Sequence, residues 1–317
     1  MLQLYILTKD RPEELRIALN SALSQDAKDL EVIVSDNSDS LITSEMMRSD
    51  FSHVRYIKRS PISNSYHEHS LLVIEEATAD FLMLFHDDDI LEKSHVSSLL
   101  LKLKQYPNLA AIASNGIFFD EHFSKKRKIM TIKNEVIINN PLDLFDFYLG
   151  LHSSGSSSAP FPSYIYRTSI MKQLFKNFKV KCGKHSDVQI LATLLDYGEI
   201  LWLPSVTFFY RLHSGQDSAS ESVIDRNKLL HFMGANGASL KSKSVIYFKL
   251  MYFSRWWKNR NKTIFRLPKG FRERVVAKFI FYSFLYLLFR SQIFIKKCFT
   301  LPVYLFKNIN KNKINFN

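Results

Sequence analysis

The chain has 317 residues, with 43 Lys and Arg against 30 Asp and Glu, and a formal net charge of +13. This length exceeds one minimal core, so a main domain with an appendage is expected. Its two cysteines, Cys182 and Cys298, lie far apart in the sequence, which excludes a disulfide framework and favours a reducing compartment. Because a strand is predicted from residue 2, no amino-terminal signal peptide is expected.

Strands and helices alternate in the first third of the chain. Apolar patterns predict, in order, a strand at Leu2–Thr8, a helix at Pro12–Leu23, strands at Glu31–Ser35 and Val54–Lys58, and a helix at roughly Tyr66–Ala77. The uninterrupted apolar run Phe81–Phe85 predicts a further, buried strand. This order predicts an α/β fold with a doubly wound nucleotide-binding sheet. Neither GxGxxG nor GxxxxGK[ST] occurs in the sequence, so metal and side chains must hold the phosphates.

Three consecutive aspartates, Asp87–Asp89, follow that apolar run directly. Open α/β sheets bind ligands at the carboxyl edge of their strands, which is where this acidic triplet is expected to lie. Adjacent carboxylates repel one another, and Mg²⁺ or Mn²⁺ relieves the repulsion because these ions take oxygen ligands and bridge to substrate phosphates. A solvated acidic loop, with Asp89 as a helix cap, is the alternative. The buried strand before the triplet favours the metal.

Three stretches of the sequence together resemble a known family. Residues 4–25 (LYILTKDRPEELRIALNSALSQ), 31–40 (EVIVSDNSDS) and 74–91 (IEEATADFLMLFHDDDIL) are similar, in order and spacing, to the opening half of a family 2 glycosyltransferase with the GT-A fold. The likeness covers roughly residues 1–220. It implies a GT-A-like, doubly wound mixed sheet with helices on both faces. It also implies transfer of a sugar from a nucleotide-sugar donor, with inversion.

The resemblance implies roles for the acidic triplet. It aligns His86 with the family's first acidic residue, so the central Asp88 is the expected ligand of Mn²⁺ or Mg²⁺. Asp87 and Asp89 then face the ribose or the phosphates of the donor. Asp89 also counts among the expected metal ligands.

The resemblance places the nucleoside of the donor at the ends of the first two strands. Asp36 and Asn37 align with the family's acidic pair, which reads the nucleobase, and the Asn side-chain oxygen can accept the N3–H of uracil or thymine. A UDP- or dTDP-sugar is therefore the expected donor. Thr8 and Arg11, after the first strand, are expected to bind the donor as well.

The second half of the chain is expected to supply the catalytic base. Ser186-Asp187 aligns with the family's acidic ED motif at a helix start, which makes Asp187 the candidate general base. A simple helix cap is the alternative. Serine at position 186 removes a neighbouring charge that would alter the pKa of this base. The helix is predicted at Val188–Tyr197, with Gly198 as its stop, before a strand at Ile200–Leu203.

Tyr210–His213 is the last motif of the resemblance, and in that family such a segment lies near the donor diphosphate. Arg211 and His213 suit an anionic leaving group. His213 is expected either to complete the metal shell or to donate to a phosphate oxygen. The serine-rich stretch at 153–158 is interpreted as an acceptor-binding loop or a linker.

Basic and aromatic residues are concentrated at the end of the chain. From Lys241 onward there are 18 Lys and Arg against one acidic residue, a net charge of +17, so the rest of the chain has a net charge of −4. The aromatic run Phe279–Phe289 has about 11 residues, shorter than the roughly 20 that a spanning helix needs. These features favour helices lying on an anionic membrane surface. A packed basic subdomain and a nucleic-acid surface are the alternatives.

The sequence therefore predicts a GT-A catalytic domain at residues 1–225, with a nucleotide-sugar half at 1–120 and an acceptor half at 121–225. Residues 226–317 are predicted to form a basic, aromatic-rich, helical region that associates with membranes. The combined hypothesis is a metal-dependent inverting glycosyltransferase of O-antigen, capsule or lipooligosaccharide synthesis. It acts on a saccharide or lipid-linked acceptor, as a cytoplasmic protein peripheral on the inner face of the cell membrane, with no nucleic-acid partner.

Two rival functions remain at this stage. A metal-dependent nucleotidyltransferase also needs an α/β fold and acidic metal ligands, but it normally has a glycine- and arginine-rich triphosphate loop near its amino terminus. Only Lys9 and Arg11 stand in that place. A non-enzymatic membrane- or nucleic-acid-binding protein explains the tail but leaves Asp36, the triplet and Asp187 unexplained.

The basic tail, residues 241–317, is expected to dock on anionic vesicles. Each basic residue near such a surface contributes about 1 kcal/mol, so binding should be firm at low salt. Replacing Trp256, Trp257 and Phe284 by Ser should reduce co-sedimentation, because aromatic side chains insert at the interface. Nucleic-acid binding is also salt-sensitive, so the deciding measurement is the dependence on anionic lipid content. A full-length protein that ignores anionic vesicles at low salt contradicts the membrane assignment.

Overall fold

The computed structural model describes residues 1–59, 66–120, 122, 124–150, 156–213 and 222–237 of the chain. These residues belong to one compact unit, Met1–Gly237. The basic tail and part of the serine-rich stretch lie outside the described residues. Within the described ranges, no helix has the length and apolar character needed to cross a membrane.

Ten strands and eight α-helices form the part of the chain that the structure describes. The strands are β1 Leu2–Thr8, β2 Leu30–Asp36, β3 Arg55–Lys58, β4 Phe81–His86, β5 Ile90–Leu91, β6 Leu109–Phe119, β7 Lys125–Lys128, β8 Val136–Ile138, β9 Tyr164–Arg167 and β10 Glu199–Arg211. The helices are α1 Pro12–Leu23, α2 Ile42–Asp50, α3 Tyr66–Glu76, α4 His95–Gln105, α5 Pro141–Tyr148, α6 Thr168–Phe175, α7 Ser186–Leu194 and α8 Val223–Ala235.

All ten strands join one mixed sheet, in the order β3-β2-β1-β4-β9-β6-β10-β5, with β7 on β6 and β8 on β10. Strands β3, β2, β1 and β4 are parallel, β9 is antiparallel to both β4 and β6, and β10 is parallel to β6. The carboxyl ends of β1, β2, β4, β6 and β10 therefore meet at one edge. The predicted doubly wound mixed sheet is confirmed.

Helices cover both faces of the sheet because its central strands carry apolar side chains on both faces. All seven residues of β1 are buried. Leu4 and Ile6 belong to a core that includes buried residues of α1, α2 and α4. Tyr5, between them, faces the opposite side, where α3 contributes buried Val73 and Ile74. A strand enclosed in this way is expected to be nearly continuous in apolar residues, and in β1 only Gln3 and Thr8 are polar.

Strand β10 is much longer than the predicted strand Ile200–Leu203. It continues through Pro204, which lacks the N–H group that a regular ladder needs. Register shifts between Leu203 and Val206 take this proline out of the pairing with β6. The strand then continues to Arg211 and so reaches the edge of the sheet where the acidic triplet lies.

Helix α7 differs from the prediction at both ends. It begins earlier, at Ser186, and ends at Leu194 rather than Tyr197. The N–H groups of Asp196 and Tyr197 bond the carbonyls three residues back, which closes the last turn tightly and ends the helix. The early start places Asp187 inside the first turn of the helix.

Helix α8 lies across the predicted domain boundary at residue 225. It packs against the 3₁₀ turn Gly183–His185. Ser222 begins it with a capping box, in which the Ser222 hydroxyl accepts the N–H of Asp225 and the Asp225 carboxylate accepts the N–H of Ser222. The compact unit thus extends to Gly237, and the predicted membrane-associating part beyond it lies outside the described residues.

Candidate active site

The carboxyl ends of neighbouring strands bring the predicted donor residues together. Thr8, at the end of β1, lies beside Asp36 at the end of β2, and Leu7 lies beside His86 at the end of β4. The acidic triplet therefore begins next to Thr8, whose hydroxyl donates to Asp87 Oδ2 at 2.8 Å. Strand register fixes this arrangement.

Two side chains hold Asp88, the central residue of the triplet. Arg11 Nη1 donates to Asp88 Oδ2 at 3.0 Å, and His213 Nε2 lies 2.9 Å from the same oxygen. Arg11 also reaches Asp87 Oδ1 at 3.4 Å. Burial alone would raise the pKa of Asp88, but the neighbouring imidazoles and the Arg11 guanidinium outweigh burial and lower this pKa. Asp88 is therefore ionised at neutral pH.

The other half of the chain holds Asp89. The two residues of β5, Ile90–Leu91, pair with β10 immediately after the triplet. This pairing places the backbone N–H of Arg211 3.0 Å from Asp89 Oδ1. Asp89 is only 2% exposed, and its second oxygen, Oδ2, has no hydrogen-bond partner in the described part of the chain. A buried acceptor left in this state is costly unless a ligand satisfies it.

Burial opposes ionisation of the outer two aspartates. Burial and the neighbouring Asp88 carboxylate raise the pKa of Asp87 to about 7. The same two causes raise the pKa of Asp89 well above its ordinary value. Burial therefore favours the protonated forms of Asp87 and Asp89, and a cation bound there would have to displace their protons.

Three side chains form a cluster that fits a metal ion. The ligand atoms of His86, Asp88 and Asp89 all lie within 4.8 Å of one another. Asp89 Oδ2, the buried oxygen without a hydrogen bond, belongs to this cluster and lies 4.0 Å from His86 Nδ1. Of the predicted ligands, Asp88 and Asp89 are thus brought together. His213, the third predicted ligand, contacts Asp88 Oδ2 directly, and His86 is a further member of the cluster.

Asp36, predicted to read the nucleobase with Asn37, is engaged inside the protein. It is fully buried, and its Oδ1 accepts the N–H of Ser38 at 2.7 Å. Its Oδ2 accepts the Tyr56 hydroxyl at 2.5 Å and Lys58 Nζ at 3.2 Å. Asn37 is also buried, and its backbone N–H bonds the carbonyl at the end of β1 at 3.0 Å. Asp36 therefore anchors β3 to the site.

Asp187 lies half-buried in the first turn of α7. Its Oδ1 accepts the N–H of the next residue, Val188, at 2.8 Å, so the side chain also supports the start of the helix. Burial raises the pKa of Asp187 above that of an ordinary aspartate. A carboxylate with a raised pKa is a stronger base than one in water.

Gln189 of α7 holds the loop that leads to Asp187. Its side chain makes hydrogen bonds of 2.7, 3.2 and 2.7 Å to the backbone of Lys179–Cys182. Gly183 follows with a φ of +58°, and a Cβ atom there would lie 2.2 Å from the Asp225 carboxylate. Only glycine fits this position, between the loop and α8.

Two tyrosines link the acidic triplet electrostatically to Asp187. Burial is the main cause that raises the pKa of the Tyr66 hydroxyl, and the charges of Asp187 and of two triplet aspartates raise it further. Burial and the same carboxylates raise the pKa of Tyr210. Because such interactions weaken with distance, Tyr66 and Tyr210 each lie near both Asp187 and the triplet.

A profile of the family described as Glycosyl transferase family 2 matches residues 4–184, more than half of the chain. This chain belongs to glycosyl transferase family 2. The match includes the acidic triplet and ends shortly before Asp187, so the candidate base and Tyr210–His213 lie beyond it. A comparison with curated proteins gave no match.

Solved structures share the fold of this glycosyltransferase. S. aureus TarS 1–349 in complex with UDP is similar with a TM-score of 0.58, and its complex with UDP-GlcNAc with a TM-score of 0.56. Both are 14% identical in sequence, over 90% of this chain and 82% and 81% of those chains respectively. At this identity the likeness shows the fold alone.

Several residues of the site were not predicted as such from the sequence: Tyr56, Lys58, Tyr66, Gln189 and Tyr210, together with His86 as a cluster member. Lys58 had a readable signal, since it ends β3 beside Asp36 in the strand register. Tyr66 had no such signal in the sequence, because its position in the site depends on how α3 packs. His86 was not predicted as a member of the cluster, because the family resemblance leads one to expect an acidic residue at its position.

Asp87→Asn should stabilise the protein at pH 8, without nucleotide or metal, and have a smaller effect at pH 5. An unfolded Asp has a pKa of about 3.9, and that of Asp87 in the fold is about 7. The fold therefore binds the extra proton and loses stability as pH rises from about 4 to 7. Asn at position 87 does not ionise, so the variant avoids this loss of stability. Its Tm should therefore be higher than that of the wild type by at least about 2 °C at pH 8.

Thermal unfolding across pH measures this difference, with Asp26→Asn, on an exposed turn, as the control. Equal shifts of Tm at pH 5 and pH 8 would show that Asp87 is not protonated in the fold.

Proposed function

We propose that this glycosyltransferase moves a sugar from a UDP- or dTDP-sugar to a saccharide acceptor, with inversion at the anomeric carbon. The observation that carries the proposal is that the acidic triplet and Asp187 act on the same two tyrosines, Tyr66 and Tyr210. The leaving group and the acceptor can then meet in one space. The UDP and UDP-GlcNAc complexes of TarS, which has this fold, support a uridine nucleotide.

The diphosphate of the donor binds at the triplet. Asp88 and Asp89 would hold a divalent cation, Mn²⁺ or Mg²⁺, which would neutralise the charge of the diphosphate. Arg11 and His213 both contact Asp88 Oδ2, so a phosphate group that enters there meets two donors already in place. His213 either completes the metal shell or donates to a phosphate oxygen. Arg211 adds a further cation on the side of the leaving group.

The nucleoside of the donor binds along the ends of β1 and β2. Asp36 shapes this surface through Ser38 and Lys58, and Asn37 beside it offers an amide to the N3–H of uracil or thymine. Asp87, which Thr8 orients, faces the ribose.

Asp187 takes the proton of the acceptor hydroxyl as the oxygen attacks the anomeric carbon from the face opposite the nucleotide. The new carbon–oxygen bond forms while the bond to the diphosphate oxygen breaks, and the nucleoside diphosphate leaves with the electron pair. Because Val188 N–H occupies Oδ1 of Asp187, the proton ends on Oδ2. Burial that raises the pKa of Asp187 suits it to this task.

The nature of the acceptor rests on the basic tail. Its charge of +17 and its aromatic residues support docking on the cytoplasmic face of the inner membrane, where a lipid-linked saccharide is presented. On that ground we assign the reaction to synthesis of O-antigen, capsule or lipooligosaccharide. Membership of family 2 favours glycosyl transfer over nucleotidyl transfer and over a purely binding role.

Donor cleavage by the full-length protein tests the proposed function. UDP-, dTDP-, GDP- and CMP-sugars are each incubated with Mn²⁺ and a mixture of saccharide acceptors, and release of the free nucleotide is measured. UDP- or dTDP-sugars should be cleaved, and Asp88→Ala or excess EDTA should abolish cleavage. Release from no donor contradicts the proposed function, and full release in EDTA contradicts the role of the metal.

Asp187→Asn should lower turnover by roughly 10²–10⁴-fold while leaving donor binding intact, because Asn keeps the shape and the bond from Val188 but cannot take a proton. Turnover and nucleotide affinity are measured separately. Asp196→Asn, at the exposed end of the same helix, is the matched control. A variant at position 187 with near-normal turnover would reassign the base.

A further inference from the structure

His86 has a fixed place beside the two carboxylates of the metal cluster. It is the last residue of β4, and the edge of the Tyr66 ring packs against its imidazole, with ring centroids 5.1 Å apart and an interplanar angle of 79°. Its Nδ1 lies 4.0 Å from Asp89 Oδ2. The strand end and the tyrosine therefore orient a nitrogen atom towards the buried acid.

The spacing of the cluster fits one shared ion. Ligand atoms about 2.1 Å from an octahedral ion lie about 3 Å apart in neighbouring positions and about 4.2 Å apart in opposite positions. The distance of 4.0 Å between His86 and Asp89 falls within that range, and all three ligand atoms lie within 4.8 Å of one another.

Asp89 Oδ2 independently points to a ligand at this place. The residue is 98% buried, and its Oδ1 already accepts the N–H of Arg211. Oδ2 has no hydrogen-bond partner among the residues that the structure describes. Buried carboxylate oxygens are seldom left in this state, and a cation between Asp89 and His86 satisfies this one.

We propose that His86 is a direct nitrogen ligand of the cation at this site and that the site therefore prefers Mn²⁺ to Mg²⁺. The inference rests on the proposed function, in which the donor diphosphate completes the coordination shell. Mg²⁺ demands oxygen ligands and keeps its waters, whereas an imidazole nitrogen favours ions of the first transition row. A neutral imidazole also adds no further negative charge to the acidic triplet.

A second imidazole lies close enough to need a separate control. His213 Nε2 is 2.9 Å from Asp88 Oδ2, the oxygen that also accepts Arg11. With His86 on the cation, His213 takes the second of its two proposed roles and donates to a phosphate oxygen of the donor. Spectroscopy that detects nitrogen on the metal separates the two histidines.

Pulsed electron paramagnetic resonance of Mn²⁺ bound to the full-length protein with UDP is the first experiment. Directly bound imidazole nitrogen should modulate the echo of the wild type and of His213→Ala. The modulation should disappear in His86→Ala and His86→Asp. His67→Ala, which removes another half-buried histidine of the same region, should leave it unchanged.

Competition between the two metals is the second experiment. Mg²⁺ is titrated against protein-bound Mn²⁺ in the presence of UDP, and the preference for Mn²⁺ should fall at least tenfold in His86→Asp, which replaces nitrogen by oxygen. Thermal unfolding without metal shows that each variant is folded. An unchanged preference in a folded His86→Asp overturns the proposal.

The outcomes separate this inference from the proposed function. A nitrogen signal that persists in His86→Ala, or that vanishes in His213→Ala, overturns the assignment to His86. Donor cleavage by a protein whose bound Mn²⁺ shows no nitrogen signal overturns the inference and leaves glycosyl transfer standing. A nitrogen signal that depends on His86, in a protein that cleaves no sugar nucleotide, overturns the proposed function and leaves the metal site standing.

Discussion

Repulsion among three carboxylates at the end of one buried strand is the constraint on which the rest of the site depends. Burial strengthens the repulsion, so each aspartate needs donors close at hand. Thr8 and Arg11 come from the loop after β1, and the backbone N–H of Arg211 comes from the end of β10. The short pairing of β5 with β10 delivers the last of these. The residues that complete this edge of the sheet are therefore the same residues that form the candidate donor site.

The central strands could be predicted because burial on both faces allows few residue types at their positions. A strand buried on both faces must be largely apolar, and β1 and β4 are, with Gln3, Thr8 and His86 as their polar residues. The full length of β10 could not be predicted, since Pro204 normally ends a strand. Whether a bulge absorbs such a proline depends on the partner strand, here β6, which is distant in sequence. Helix ends were uncertain for the same reason, as the last turn of α7 shows.

The positions of site residues could be predicted when the residue directly follows a strand. They could not be predicted when the position depends on how helices and strands pack together. The triplet could be placed at the edge of the sheet from its position after Phe81–Phe85. The hydrogen bond from Tyr56 to Asp36 could not be predicted, because nothing in the sequence marks this tyrosine of β3 as part of a site. The role of Tyr66 depends on the packing of a helix, which no local pattern encodes.

The distance along the chain between the triplet and its last partners has a consequence for synthesis. Arg211 follows Asp89 by 122 residues, and His213 follows Asp88 by 125. A ribosome adding roughly 5–20 residues per second needs about 6–25 s to make that segment. During this interval the nascent chain carries the acidic triplet without the two partners that the end of β10 and His213 supply. The length of the intervening segment therefore sets how long these carboxylates stay solvated on the growing chain before the site can close.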